Sequence, residues 1–250
     1  MSNPSSATRR NDAIIPINQN IYEESSTQLA PLGTRLQVGE RKFAYAKADI
    51  ALNAGDVCAI NIGSTGTLSV LKATVNAAAV AGTYKVKVYA ASAVAAGVFN
   101  DGYVVTQDST GQGYAYKIKS QPAISSAGGA FVTLYDPLAA ALGATSVISV
   151  VPNPVWGVTN LVTVSVPVAG IAMCVVTAGN YAWIQNAGIA SVKIANTTVA
   201  LGDLLVPSTT GGVTICALST GFMNQVVGRA LCAGTAYDHI PAILECPVFV

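Results

Sequence analysis

Apolar and polar residues alternate with a period of two along most of the chain, and short runs of this kind are separated by Gly, Pro, Asn and Asp. That is the pattern of half-buried strands closed by turns. Thr83-Tyr84-Lys85-Val86-Lys87-Val88-Tyr89 is the cleanest case, with Lys85 and Lys87 on one face and Tyr84, Val86 and Val88 on the other. Lys42–Ala48, Val57–Ile62, Phe99–Val105, Gly113–Lys119 and Phe131–Tyr135 read as further strands, and Asp108–Gly111 reads as a hairpin loop. Downstream, strands are predicted over 161–166, 171–176, 181–186, 190–194, 204–206, 212–217, 224–230 and 242–250. Turn signals between them recur every 8 to 12 residues or so, the spacing of a sandwich or barrel. Only Leu138–Leu142 has a helical look, for about one turn.

One turn sequence repeats. Ala48–Val57, with Asn53-Ala54-Gly55-Asp56 at its centre, is echoed by Asn196–Leu204 and more weakly by Val94–Val98 and Val176–Tyr181. In each, an apolar strand ends at a small residue and a glycine then supplies the positive φ that reverses the chain. The economical consequence is a set of repeated hairpins in one or two barrels; Asp56 and Asp203 read as turn residues rather than a catalytic pair.

The expected architecture is therefore all-β with almost no helix: an extended N-terminal arm over 1–35, a β domain over 36–153 and a C-terminal β-barrel domain over 154–250. Within the arm, 1–12 is polar, while Ile14, Ile15, Ile17, Ile21 and Tyr22 form an apolar run too short to fold alone and expected to contact a partner surface. Trp156 and Trp183 are expected as core residues or interface anchors.

Composition sharpens this picture. Hydrophobic residues make up 52% of 250 and charged residues 10%, against roughly 25% charge in ordinary soluble domains. Something is expected to cover so uncharged a surface. A membrane is the first candidate, because mean hydropathy is +0.50 and no charge lies between Asp136 and Lys193. Pro137, Pro152, Pro154 and Pro167 break that stretch, so no apolar helix of about 20 residues is expected in it. The polar first ten residues do not resemble a secretory signal, and synthesis in a cytoplasm is expected. A net charge of +1 gives no long-range attraction for nucleic acid. Lys117 and Lys119 beside Tyr114 and Tyr116 read as an ordinary solvated strand face.

Chemistry-bearing constellations are sparse. Cys58, Cys174, Cys216, Cys232 and Cys246 sit in apolar runs without a C-x-x-C pair and read as buried thiols. The single histidine, His239, reads as a turn residue before the last strand, and no metal ligand set is built around it. No nucleophile elbow, phosphate loop or dinucleotide fingerprint occurs. The reading is of a protein that is not an enzyme and has no cofactor and no small-molecule substrate.

Several runs carry a resemblance. Leu32–Ala46, Asp101–Val105, Gly111–Ser120 and Leu134–Leu138 resemble segments of virion structural proteins of tailed bacteriophages. Gly179–Gln185, Gly202–Ser208 and Val227–Leu231 are similar to the β-barrel pattern of phage capsid decoration (cement) proteins. The resemblance implies a protein on the outer surface of the virion head, a homotrimer bridging subunits of the major capsid protein, with no membrane partner and no nucleic-acid partner. The alternatives are another virion part (head fibre base, tail component or major shell protein) and a host-surface carbohydrate-binding β-protein.

Overall fold

The computed structural model describes residues 19–60, 71–75, 77–160, 167–216 and 225–246, with 71–74 described by their backbone alone. Among them the protein is all-β, as the alternation predicts. In chain order the strands are β1 (Arg35–Val38), β2 (Arg41–Ala48), β3 (Val57–Ala59), β4 (Leu71–Thr74), β5 (Lys85–Ala90), β6 (Tyr103–Asp108), β7 (Ala115–Ser120) and β8 (Gly128–Leu134). They continue with β9 (Val147–Val151), β10 (Trp156–Val158), β11 (Val168–Ala172), β12 (Tyr181–Lys193), β13 (Leu204–Pro207), β14 (Val213–Ile215), β15 (Gly228–Ala230) and β16 (His239–Glu245). No helix long and apolar enough to cross a membrane occurs among the described residues.

The chain forms two compact units, and the division is nested: residues 1–60 and 157–250 make one, and 61–156 the other. The contiguous boundary expected at 153/154 is corrected here for a physical reason. β2 pairs with β12 from Tyr181↔Lys47 to Ala187↔Lys42, so the first strands of the chain complete the sheet of the last ones. The expected arm also ends earlier. Gln19, Ala30 and Leu32 are buried, and Ser25 bridges Tyr181, so residues 19–34 belong to the first unit.

That unit holds a sheet in the order β1-β2-β12-β16-β15-β13-β14, with β11 joining β12 to β3. A parallel bridge, Ile194↔Val213, brings the end of β12 back to β14. The enclosed core includes Val57, Ile171, Val192, Ile194, Leu205, Val213, Ile240 and Leu244. The second unit is a six-stranded sheet, β4-β9-β6-β7-β8-β5, whose end strands meet at the bridge Val75↔Val88 around Val86, Val104, Ile118, Val132, Leu134, Ile148 and Val150.

The repeated turns are paired, two pairs in each unit. Leu52 and Val176 exchange both backbone hydrogen bonds, at 2.8 and 2.9 Å; Gly55 N then donates to Ala172 O, and Gly179 N reciprocates to Ala48 O. Val199 pairs Gly234 in the same way, with Gly202 N donating to Ala230 O and Tyr237 N to Ala195 O. In the second unit, Ala79 pairs Leu142 and Val94 pairs Ile124, each by two reciprocal backbone bonds. All four sequence echoes are such turns. Of the other four turns, the one at Ala79 also has its glycine, Gly82 at φ +86°, whereas those at Ile124, Leu142 and Gly234 have no positive-φ glycine and are found only through the pairing.

Two local readings change. Leu138–Leu142 is not helical, because Leu138 N donates to Thr83 O and Leu142 N to Ala79 O, which commits that backbone to extended pairing after Pro137. The two strands expected over 181–186 and 190–194 are one, β12, with a register shift between Gln185 and Ala187 against β2. Gly188, at φ +83°, turns the bulge; a Cβ there would lie 3.0 Å from Arg41 Cα and Glu40 O. The expected strand over 161–166 lies outside the described residues.

Asp56 shows how a turn is locked. Its carboxylate is buried and accepts from Asn53 N at 2.9 Å and Asn160 Nδ2 at 2.8 Å, while Lys193 Nζ lies 3.4 Å away. Asp203 makes the same turn bond, from Ala200 N at 2.7 Å, at an exposed site. Removing the buried carboxylate strands the donors it satisfies, Asn53 N and Asn160 Nδ2, and leaves Lys193 without its counter-charge. Asp56→Ala is therefore expected to cost about 3 kcal/mol, and Asp203→Ala about 1 kcal/mol, a single local hydrogen bond. Urea unfolding of the two variants measures both; equal losses would contradict the assignment.

Candidate functional site

The expected contact residues divide sharply. Ile14, Ile15 and Ile17 lie outside the described residues. Ile21 is half-buried and Tyr22 exposed at the root of the arm. Trp183 is fully buried, edge-on to Tyr45 with ring centroids 5.1 Å apart, so it supports the body and offers no surface to a partner. Trp156 is half-buried. Trp183 packs behind Tyr45, whose hydroxyl holds the seat of residues 19–30, and Tyr22 lies within that segment.

The seat follows from strand register. Tyr45 on β2 lies opposite Trp183 on β12, and its hydroxyl emerges from the core to donate to Gln19 Oε1 at 2.9 Å. It also accepts from Leu29 N at 3.2 Å, so one buried phenol holds both ends of the segment. Burial pushes its pKa up, keeping it a neutral donor. Gln19 Nε2 donates to Glu23 O and Tyr181 O. Glu24 closes the seat by accepting from Thr177 N and, at 3.0 Å, from Thr177 Oγ1. The backbone hydrogen bond of Thr177 holds the Glu24 carboxyl below its ordinary value.

Beside the seat is a groove of about 420 Å³ lined by Tyr22, Arg41, Met173, Ile189, Ser191 and His239 among others. The guanidinium of Arg41 is aimed by Gln185, whose Oε1 accepts from Nη2 at 2.7 Å and Nε at 3.1 Å. Gln185 is itself fixed by donating to Ala187 O and Ile189 O. Arg41 Nη1 reaches Tyr22 OH at 3.3 Å. His239 is the first residue of β16, not a turn residue before it, and its Nε2 lies 3.1 Å from Ala54 O. A Cβ on Gly55 would fall 2.6 Å from the His239 ring, so glycine lets the imidazole lie on the turn. The sequence reading missed Arg41, Gln185 and His239 as neighbours; only the β2–β12–β16 pairing brings them together.

The groove can hold an apolar group beside a guanidinium, which is binding chemistry. Of the five thiols expected to be buried, Cys58 and Cys246 are, while Cys174, Cys216 and Cys232 are half-buried; burial pushes Cys58, Cys174 and Cys246 up, Cys246 to about 12. Among the described residues no group of three or more His, Cys, Asp and Glu gathers as a metal site. Asp56 and Asp203 occupy separate paired turns and do not form a carboxylate pair. No family model, curated protein or solved structure matches this chain.

Loss of the Tyr45 hydroxyl should loosen the seat without unfolding the body. Tyr45→Phe is expected to raise amide hydrogen exchange in residues 20–30 by roughly tenfold, the worth of one or two hydrogen bonds, leaving β12 and β16 protected. Because the folded pKa of Glu24 is lowered, its contribution is complete above the ordinary value near 4.5 and fades as pH falls through the folded value. Exchange in 20–30 should therefore rise on acidification, and a Glu24→Gln variant should not show the rise.

Proposed function

We propose that this chain is a structural protein of a tailed-phage virion that decorates the outer face of the head and bridges neighbouring shell subunits, as a trimer and without an enzymatic step. The observation that carries the reading is where its apolar side chains stand. Val80, Leu201 and Tyr237, at the tips of paired turns, are 73%, 71% and 67% exposed on a body with few charges. Tyr237 takes φ 69° at the place where the sister turn has Gly202. A left-handed conformation costs a residue with a Cβ about 1–2 kcal/mol, and such strain is characteristic of functional positions.

Apolar tips of this kind suit obligate contacts, where burial contributes about 25 cal/mol per Å². Low charge then suits a surface whose working state is covered. The segment before Gln19 adds reach, since eighteen residues span at most about 60 Å when extended. Its root is seated by Gln19 and Tyr45, so a pull on the arm is delivered to β2 and β12. Many weak repeated contacts over a shell supply strength through multivalency. The sequence resemblance points the same way.

The full chain is expected to sediment as a trimer at micromolar concentration, and Leu201→Asp with Tyr237→Asp to weaken association at least tenfold while leaving the melting temperature within a few degrees. Deleting 1–18, which spares the seat, should leave a folded oligomer that no longer sediments with undecorated shells. A monomeric wild-type chain, or undiminished shell binding after the deletion, would contradict these roles.

A further inference from the structure

The second unit carries a surface that the sequence showed only in part. Lys85 and Lys87 on β5 and Lys117 and Lys119 on β7 leave Val86, Val88, Tyr116 and Ile118 to the core, and β8 lies between the two strands. Lys87 is opposite Phe131, and Lys85 opposite Thr133. Lys117 is opposite Tyr103, with its Nζ 5.8 Å from the centre of the Tyr135 ring. Two lysines in the linear reading thus become four, set among Tyr103, Phe131 and Tyr135, which are 40%, 54% and 43% exposed. β5, β7 and β8 contain no Asp or Glu, and none of these four lysines forms an ion pair among the described residues.

A concavity of about 340 Å³ opens on this face, walled by Ala77, Val80 and Phe131 and edged by Thr83, Lys85 and Lys87. We propose that it docks a carboxylate-rich protein segment with an apolar anchor: the anchor enters the concavity against Phe131, and flanking carboxylates meet the lysine ammonium groups. Naming that partner as a shell subunit rests on the decoration reading above. Nucleic acid is the weaker fit. The wall offers no Asn, Gln or Arg to read base edges, and a chain of net charge +1 does not draw a polyanion from a distance. Exposed aromatics ringed by cations are instead the composition of a protein-docking patch, with complementary charge setting rate and orientation.

The full chain is titrated by NMR with the blocked peptide Ac-Glu-Glu-Leu-Glu-Glu-NH2, its Ac-Gln-Gln-Leu-Gln-Gln-NH2 counterpart and a thymidine 15-mer. The acidic peptide is expected to shift the amides of Lys85, Lys87 and Phe131. Its affinity should fall at least tenfold in Lys85→Glu/Lys87→Glu and about fivefold in Phe131→Ala, for the lost charges and anchor. It should also fall about tenfold between 50 and 300 mM salt. These side chains are on the outer face, so the melting temperature of the variants should hold and separate lost binding from lost folding. Equal shifts from the glutamine peptide, affinity unchanged in the double variant, or tighter binding of the thymidine 15-mer would overturn the proposal. On undecorated shells, the double variant should bind at least tenfold less than wild type, and equal binding would overturn the docking role. If wild type ignores shells while the peptide results hold, the decoration reading fails and the acidic-segment site stands.

Discussion

Reciprocal pairing of turns is the constraint on which the rest of this structure depends. A single β-turn leaves its flanking amides and carbonyls unsatisfied, and burying them unpaired costs free energy comparable to a lost hydrogen bond. Here each turn is held by another: the residue entering one exchanges two backbone bonds with the residue entering its partner, as Leu52 does with Val176. The same bracket occurs twice in each unit, so both are built from one device despite different strand counts. Because the partners are far apart in sequence, 52 with 176 and 79 with 142, the brackets also define the nesting of one unit's residues inside the other's.

The hydrophobic alternation made the class and most strands readable because side-chain period is a local property. β2, β5, β7 and β13 fall close to their predicted spans for that reason. The domain boundary was not readable, since nothing local in Arg41–Ala48 announces that its partner is Tyr181–Lys193 rather than a nearer strand. The same limit explains the turn partners: Gly55 and Gly179 advertise positive φ, whereas Leu142-Gly143-Ala144 and Gly234-Thr235-Ala236 have no such signature. The division of β12 at Ala187–Gly188 was a fair local inference, because glycine usually ends a strand; tertiary pairing turns it into a bulge instead.

Candidate sites were less legible than the fold. Tyr22 was singled out for its place in an apolar run, and it does stand at the arm root. Trp183 was singled out by type, and strand parity places it in the core. Arg41, Gln185 and His239 converge through three strands, and the lysine face through β5, β7 and the intervening β8. Both arrangements are properties of register. A near-zero net charge concealed the second, because segregation of charge onto one face leaves the total unchanged. Charge poverty, a seated segment at residues 19–30, apolar turn tips and a lysine face are the features on which the proposed role as a contact-making structural protein rests.

Electron microscopy tests the proposed decoration role most directly: the purified full chain is mixed with undecorated tailed-phage shells and reconstructed with icosahedral averaging. The account predicts regular added density on the outer face at sites of local three-fold symmetry, with the chain's two units resolvable in it. Bare shells at saturating protein, or density confined to the tail or the interior, would contradict it.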